Sequence, residues 1–214
     1  MVDLTGKVAL ITGAGQGVGQ GIALGLAAAG AAVAVTGRTA TKLDQTCALI
    51  AERGGRALAI EGDVKDAASL AAMVDETVAG LGGLDILVNN AQEVPLGPLD
   101  SVSDEAFAAG FDSGPLASFR LMKLARPHMV RRGGGSIFNF ASSAGVRWDM
   151  AGYGAYAAVK QAIRALTRAA ASEWGPDNIR VLTIAPHAES PGLKGWIEDN
   201  PDEAKAFFRT IPLG

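Results

Sequence analysis

The chain has 214 residues, enough for one domain with a sizeable core and too few for two of full size. Hydrophobic residues make up 49% and charged residues 19%, which excludes a disordered chain. The net charge is −3, with no basic tract to hold a nucleic acid, and the one cysteine, Cys47, excludes an internal disulfide and fits a reducing compartment. A first short apolar run, 8–12, ends in glycines. A valine-rich run follows at 32–36, and others at 57–61, 84–89, 136–140 and 180–185. Runs this short, apolar on both faces, read as buried parallel strands. Helical patterns fall between them at 18–29, 41–53, 67–79, 105–126 and 153–173. Strand and helix alternate throughout, so the expected fold class is α/β: a doubly wound parallel sheet with helices on both faces, in a single domain over 1–214. The stretch 8–37 carries no charge and could pass for a membrane span, but Gln16, Gln20 and the glycines from Gly13 to Gly21 argue for two strands with a turn and helix between them. The chain therefore reads as cytoplasmic, with no membrane partner. Two histidines and a cysteine, far apart, have no metal spacing.

Thr12-Gly13-Ala14-Gly15-Gln16-Gly17-Val18-Gly19 joins the first strand to the first helix. Glycines there permit a sharp turn, let a pyrophosphate approach the backbone, and let helix pack on strand. No Lys-Ser/Thr pair follows, so this is not a P-loop. The spacing is TGxxxGxG, and a tight turn without a ligand explains it equally well. At the end of the second strand stands Thr36-Gly37-Arg38. A ribose 2′-hydroxyl is usually bound by an acid about 20 residues past the glycines. Here no carboxylate repels a 2′-phosphate and Arg38 could pair with one, which favours NADP(H) over NAD(H). The competing reading makes Arg38 a solvated residue at a helix entry.

Tyr156 and Lys160 stand four apart on the last of these helices and share one face. A free phenol has a pKa of about 10, too weak for proton exchange at neutral pH. A nearby ammonium is expected to lower it.

Taken in order, these segments resemble the short-chain dehydrogenases/reductases. The resemblance begins at Leu4-Thr5-Gly6-Lys7-Val8-Ala9-Leu10-Ile11-Thr12-Gly13 and continues through Asp63-Val64 and Asp85-Ile86-Leu87-Val88-Asn89-Asn90-Ala91. Gly135-Ser136-Ile137-Phe138-Asn139-Phe140-Ala141-Ser142-Ser143 follows, then Tyr156 and Lys160, then Ile179-Arg180-Val181 and Ala185-Pro186. It implies a Rossmann-type sheet and an oxidoreductase exchanging a hydride between NADP(H), or NAD(H), and an alcohol or carbonyl. Tyr156 would be the general acid/base. Lys160 would lower its pKa and bond the nicotinamide ribose. Ser142 would bond the substrate oxygen, with Ser143 as the alternative by a count back from Tyr156. Gly13, Gln16, Gly17, Val18 and Gly19 would cradle the cofactor phosphates beside Arg38. Asp63 would bond the adenine with Val64 beside the ring. Asn89 and Ala91 would line the ribose, and Ser190 is the nearest candidate for the carboxamide. Asp63 as a mere helix cap is the competing reading. The family also implies a homodimer or homotetramer.

Four departures from the family pattern stand out. Gly114 occupies the place of an asparagine that holds a relay water, and Pro115 after it should bend the helix. Gln92 replaces the glycine after Asn89-Asn90-Ala91, and His187 the glycine after Pro186. The chain stops at Gly214, where relatives add a last strand and helix. These departures raise, as the alternative, a nucleotide-binding protein with little turnover. Residues 186–214 would form a substrate lid, with Trp196, Phe207 and Phe208 either facing an apolar substrate or serving core or interface packing. Arg147, Trp148 and Met150 would face the substrate. Tyr153, at the spacing of the enoyl-reductase branch, reads better as a pocket wall.

Overall fold

Side-chain alternation along β1 (Val8–Thr12) sets the layers of the molecule. Its five residues are all buried. Val8 and Leu10 enter one core while Ala9 and Ile11 enter the other, as the two-residue repeat of a strand requires. The structure, a computed structural model, describes residues 2–146, 152–186, 188 and 191–211. β2 (Ala32–Gly37), β3 (Ala57–Glu61), β4 (Ile86–Asn89), β5 (Gly135–Phe140) and β6 (Ile179–Ile184) complete a six-stranded sheet ordered β3-β2-β1-β4-β5-β6. Every neighbouring pair is parallel. This is the doubly wound, Rossmann-type sheet expected.

The helices are α1 (Gly17–Ala28), α2 (Ala40–Ala51), α3 (Ala67–Leu81), α4 (Asp104–Phe111), α5 (Ala117–Arg131), α6 (Gly154–Trp174), α7 (Pro191–Asp199) and α8 (Pro201–Phe208). Leu43 and Ile50 of α2 join Ala23 and Ala27 of α1 against Ile11, Val33, Val35 and Val88. On the opposite face Leu70 and Met73 of α3 and Leu121, Met122 and Met129 of α5 close over Leu10, Leu87 and Ile137. Burying each of these large side chains contributes about 1.5–3 kcal/mol. Asp66 caps α3, its carboxylate accepting from the N–H groups of Ala68 and Ser69. Asp63 is therefore not the cap.

The helix expected over 105–126 is divided. Residues Asp112–Leu116 form a π-turn containing Gly114 and Pro115. Proline has no N–H for the carbonyl four residues back, so the backbone widens and the Ala117 N–H reaches the carbonyl oxygens of Asp112 and Gly114. α5 then runs on past Pro127 to Arg131. The region read only as a lid holds α7 and α8, and Trp196 packs edge-on against Phe207 with ring centroids 5.9 Å apart.

β1 and β4 are tied at their base by Asp85. Only 4% exposed, its carboxylate accepts from the Val8 N–H at 3.0 Å, from Arg132 at 3.1 and 3.2 Å and from Lys7 at 3.3 Å. Burial pushes its pKa up, but these donors outweigh burial and hold it below the ordinary value. The stabilisation is present at neutral pH and is lost as pH falls through that lowered pKa. Asp85→Ala is expected to cost about 3 kcal/mol in a urea titration at pH 7, because it strands the Val8 N–H and two cations. A loss below about 1 kcal/mol would reduce the cluster to surface pairing.

Candidate active site

The strand order reverses between β1 and β4, and chain crossings on opposite sides leave a crevice at their carboxyl ends. A cleft of about 490 Å³ opens there, within the range of small-molecule sites. Gly13, Gln16, Gly17, Val18, Gly19, Arg38, Asp63, Val64 and Ala91 line it, all of them expected binding residues. The turn is shaped as a cradle. A Cβ on Gly19 would strike the Gly13 carbonyl, and one on Gly13 would stand 2.9 Å from Asn90 Nδ2, at a φ of +66° that disfavours side chains. Gln16, before α1, makes no capping bond to the helix N–H groups. An uncapped helix start behind a glycine cradle suits a pyrophosphate.

Asn89 is placed differently from the other expected residues. Its amide is buried and donates to Asn139 Oδ1 at 2.7 Å, and Asn139 in turn donates to Thr167 of α6. The chain from β4 through β5 to α6 therefore engages its Nδ2, while its buried Oδ1 has no partner among the described residues. The second asparagine meets the cleft instead: Asn90 Nδ2 donates to the carbonyl oxygens of Thr12 and Gly13. Sequence reasoning also passed over Lys65 and Glu93. Glu93 Oε1 accepts from Arg38 at 3.1 Å and from Lys65 at 2.9 Å. Glu93 holds the Lys65 ammonium pKa above its ordinary value. No local pattern links these three, which come from separate loops.

The second group lies where β5 meets α6. Ser142 follows β5, its hydroxyl accepting from the Ala144 N–H at 3.2 Å, and it is hydrogen-bonded to Tyr156. Ser143 instead opens the short 3-10 turn Ser143–Gly145. Lys160 is 4% exposed, and its Nζ donates to the Phe140 carbonyl at 2.6 Å. Burial lowers its pKa to about 8. Tyr156 departs from expectation. Burial raises its pKa, although the Ser142 hydrogen bond pulls it down. The Lys160 ammonium is held by the Phe140 carbonyl and stands over the phenol ring, 5.4 Å from its centroid, so the expected lowering of the phenol by lysine is not seen. Tyr153 packs edge-on against Tyr156 with centroids 6.2 Å apart. Ser190, His187, Arg147, Trp148 and Met150 lie outside the described residues.

A parallel sheet with a glycine cradle at its switch point and a Ser–Tyr–Lys group beyond β5 defines a nucleotide-dependent oxidoreductase architecture. The sequence profile of the short chain dehydrogenase family matches residues 7–199, and the chain belongs to that family. It is 37% identical to a 12alpha-hydroxysteroid dehydrogenase of a Clostridium species, covering 98% of this chain and 83% of that protein. L-xylulose reductase of Mesocricetus auratus is 36% identical, covering 99% of this chain and 83% of that protein. The solved 7 alpha-hydroxysteroid dehydrogenase complexed with NADH and 7-oxo glycochenodeoxycholic acid superposes with a TM-score of 0.86 at 36% identity, covering 90% of this chain and 75% of that one. Among the described residues no helix is long and apolar enough to cross a membrane.

Proposed function

We propose that the chain is an NADP(H)-dependent oxidoreductase that interconverts an alcohol and a carbonyl, with Tyr156 as general acid/base. The observation that carries this reading is the Ser142–Tyr156 hydrogen bond beside the buried Lys160. The nicotinamide cofactor, when bound, would supply the hydride chemistry at the substrate carbon. Ser142 donates to the substrate oxygen and stabilises the charge that develops there. Tyr156 gives that oxygen a proton in reduction and takes one in oxidation. Lys160, with a pKa of about 8, remains mostly protonated at neutral pH and serves as the proton reserve behind the phenol. Gly13, Gln16, Gly17, Val18 and Gly19 would cradle the pyrophosphate, Asp63 and Val64 would hold the adenine, and Ala91 the ribose. The test is a fluorescence titration with NADPH, followed by a panel of alcohols and carbonyls at saturating cofactor. Binding without turnover on any member would instead favour the low-turnover reading that Gly114 raises.

Cofactor choice rests on this chain's own cations, since the 7 alpha-hydroxysteroid relative was solved with NADH. Arg38 and Lys65 converge on one carboxylate oxygen of Glu93 at the cleft wall. Two cations already sharing an anion can share a phosphate, with Glu93 giving way. Charge-assisted bonds of this kind contribute about 1.5–3 kcal/mol each. Arg38→Ala is therefore expected to raise the Kd for NADPH by about 10- to 100-fold while leaving that for NADH within about threefold. A wild-type Michaelis constant for NADH equal to or below that for NADPH would remove the preference.

A further inference from the structure

Two of the family departures, Gln92 and Gly114, meet in space. The loop carrying Gln92 is pinned on both sides. Ahead of it the Ala91 N–H donates to Thr12 Oγ1 at 3.0 Å, and after it the Glu93 N–H donates to Ser113 Oγ at 2.9 Å. Ser113 belongs to the π-turn, and its own hydroxyl donates to the Ala109 carbonyl at 2.7 Å. The pinned loop lays the Gln92 side chain against Gly114. A Cβ built on Gly114 would stand 3.1 Å from Gln92 Nε2, 3.2 Å from its Cδ and 3.0 Å from Val159 Cγ1. The glutamine amide thus fills the space that a side chain at 114 would enter. Its Nε2 is buried and finds no hydrogen-bond acceptor among the described residues. A buried amide donor without a partner is costly, and such groups are kept where they bind something. Val159 immediately precedes Lys160 on α6. The Lys160 ammonium has three N–H groups and, among the described residues, one hydrogen-bond acceptor, the Phe140 carbonyl. Gly114, against which both Gln92 and Val159 pack, thus joins the glutamine amide to α6 one residue before Lys160.

We propose that Gln92 is a positioning residue for proton exchange at Lys160: its amide, lying in the place left by the missing side chain at Gly114, holds a water molecule beside α6. The proposal rests on the oxidoreductase reading above. In carbonyl reduction Tyr156 passes its proton to the substrate oxygen and is reprotonated at the expense of the Lys160 ammonium. An N–H bond of that ammonium breaks, the held water protonates the resulting amine, and the water recovers its proton from bulk solvent. The π-turn and the glutamine are then one device, since a side chain at 114 would crowd the amide.

Gln92→Met keeps the length and removes the donor. It is expected to lower kcat by about 10- to 100-fold and to reshape its pH profile, with the KM of the substrate and the Kd of NADPH little changed. Its Tm should equal or exceed that of the wild type, because the Nε2 removed finds no acceptor among the described residues. Gln92→Gly should lose as much activity, and Gln92→Gly/Gly114→Asn should recover most of it by returning an amide to the same spot from the helix side. A Gln92→Met enzyme with wild-type kcat and pH profile would reduce the glutamine to packing. A double variant no faster than Gln92→Gly would overturn the shared-site argument. A crystal structure of the wild type supplies a readout free of turnover: a water bonded to Gln92 Nε2 is expected, and an Nε2 bonded to protein instead would sink the proposal. A wild type that binds NADPH but turns over no alcohol or carbonyl defeats the oxidoreductase reading, while the crystallographic test of the water remains.

Discussion

Tyr156→Phe is expected to lower kcat by about 10³- to 10⁴-fold, the upper part of the range for a positioned general acid. The substitution removes one oxygen. The ring keeps its edge-on contact with Tyr153, and α6 keeps its buried face of Ala155, Val159 and Ile163. Loss of the hydrogen bond to Ser142 should cost about 1 kcal/mol of stability, so the variant folds and binds NADPH as before. Any fall in turnover then belongs to proton transfer. The raised phenol pKa adds a directional signature. A phenol that holds its proton across neutral pH is ready to give it in carbonyl reduction, whereas alcohol oxidation needs the phenolate and should accelerate as pH rises. Steady-state rates in both directions against pH check this, and a phenylalanine variant with near-normal rates would remove Tyr156 from the chemistry.

Lys160→Met should separate activity from stability. Turnover is expected to fall by at least about 10²-fold, since the proton reserve behind Tyr156 is gone. Stability should move the other way. Burial lowers the lysine pKa from 10.5 to about 8, so between those values the unfolded chain binds more protons than the folded one. The lysine's contribution to stability therefore rises with pH across that window. Below it, the burial cost stands in full, at about 3 kcal/mol. Methionine removes that cost, offset in part by loss of the bond to the Phe140 carbonyl. The variant should be the more stable protein at pH 7, and its advantage should shrink by about 2–3 kcal/mol by pH 10, read by urea unfolding at both. A difference that did not change with pH would mean that the lysine titrates in the folded chain as it does in water.

Buried parallel strands were legible because both faces of each must be apolar. Five of the six begin or end at the residue expected, and β4 starts late, at Ile86, where its pairing with β1 begins. The division of the long helix was half legible: Pro115 announced a disturbance, but only the packed backbone chose a π-turn over a kink. α7 and α8 were missed, since a segment of proline and glycine punctuation reads as loop until Trp196 and Phe207 are seen to stack. Lys160 was legible as a neighbour of Tyr156, yet its distance from the hydroxyl was not. The Phe140 carbonyl at the end of β5 decides where the ammonium rests, and it lies 20 residues away in sequence.

By itself the sequence determined the parallel sheet, the glycine cradle and the pairing of Tyr156 with Lys160, because strand burial, a tight turn and one helical face are all local periodicities. Only the tertiary structure decided that Arg38 and Lys65 meet on Glu93, that Ser142 reaches Tyr156, and that Gln92 enters the space beside Gly114. Those contacts join loops at the carboxyl ends of strands that neighbour one another through crossover connections, and a crossover makes distant residues adjacent with no trace in the spacing between them.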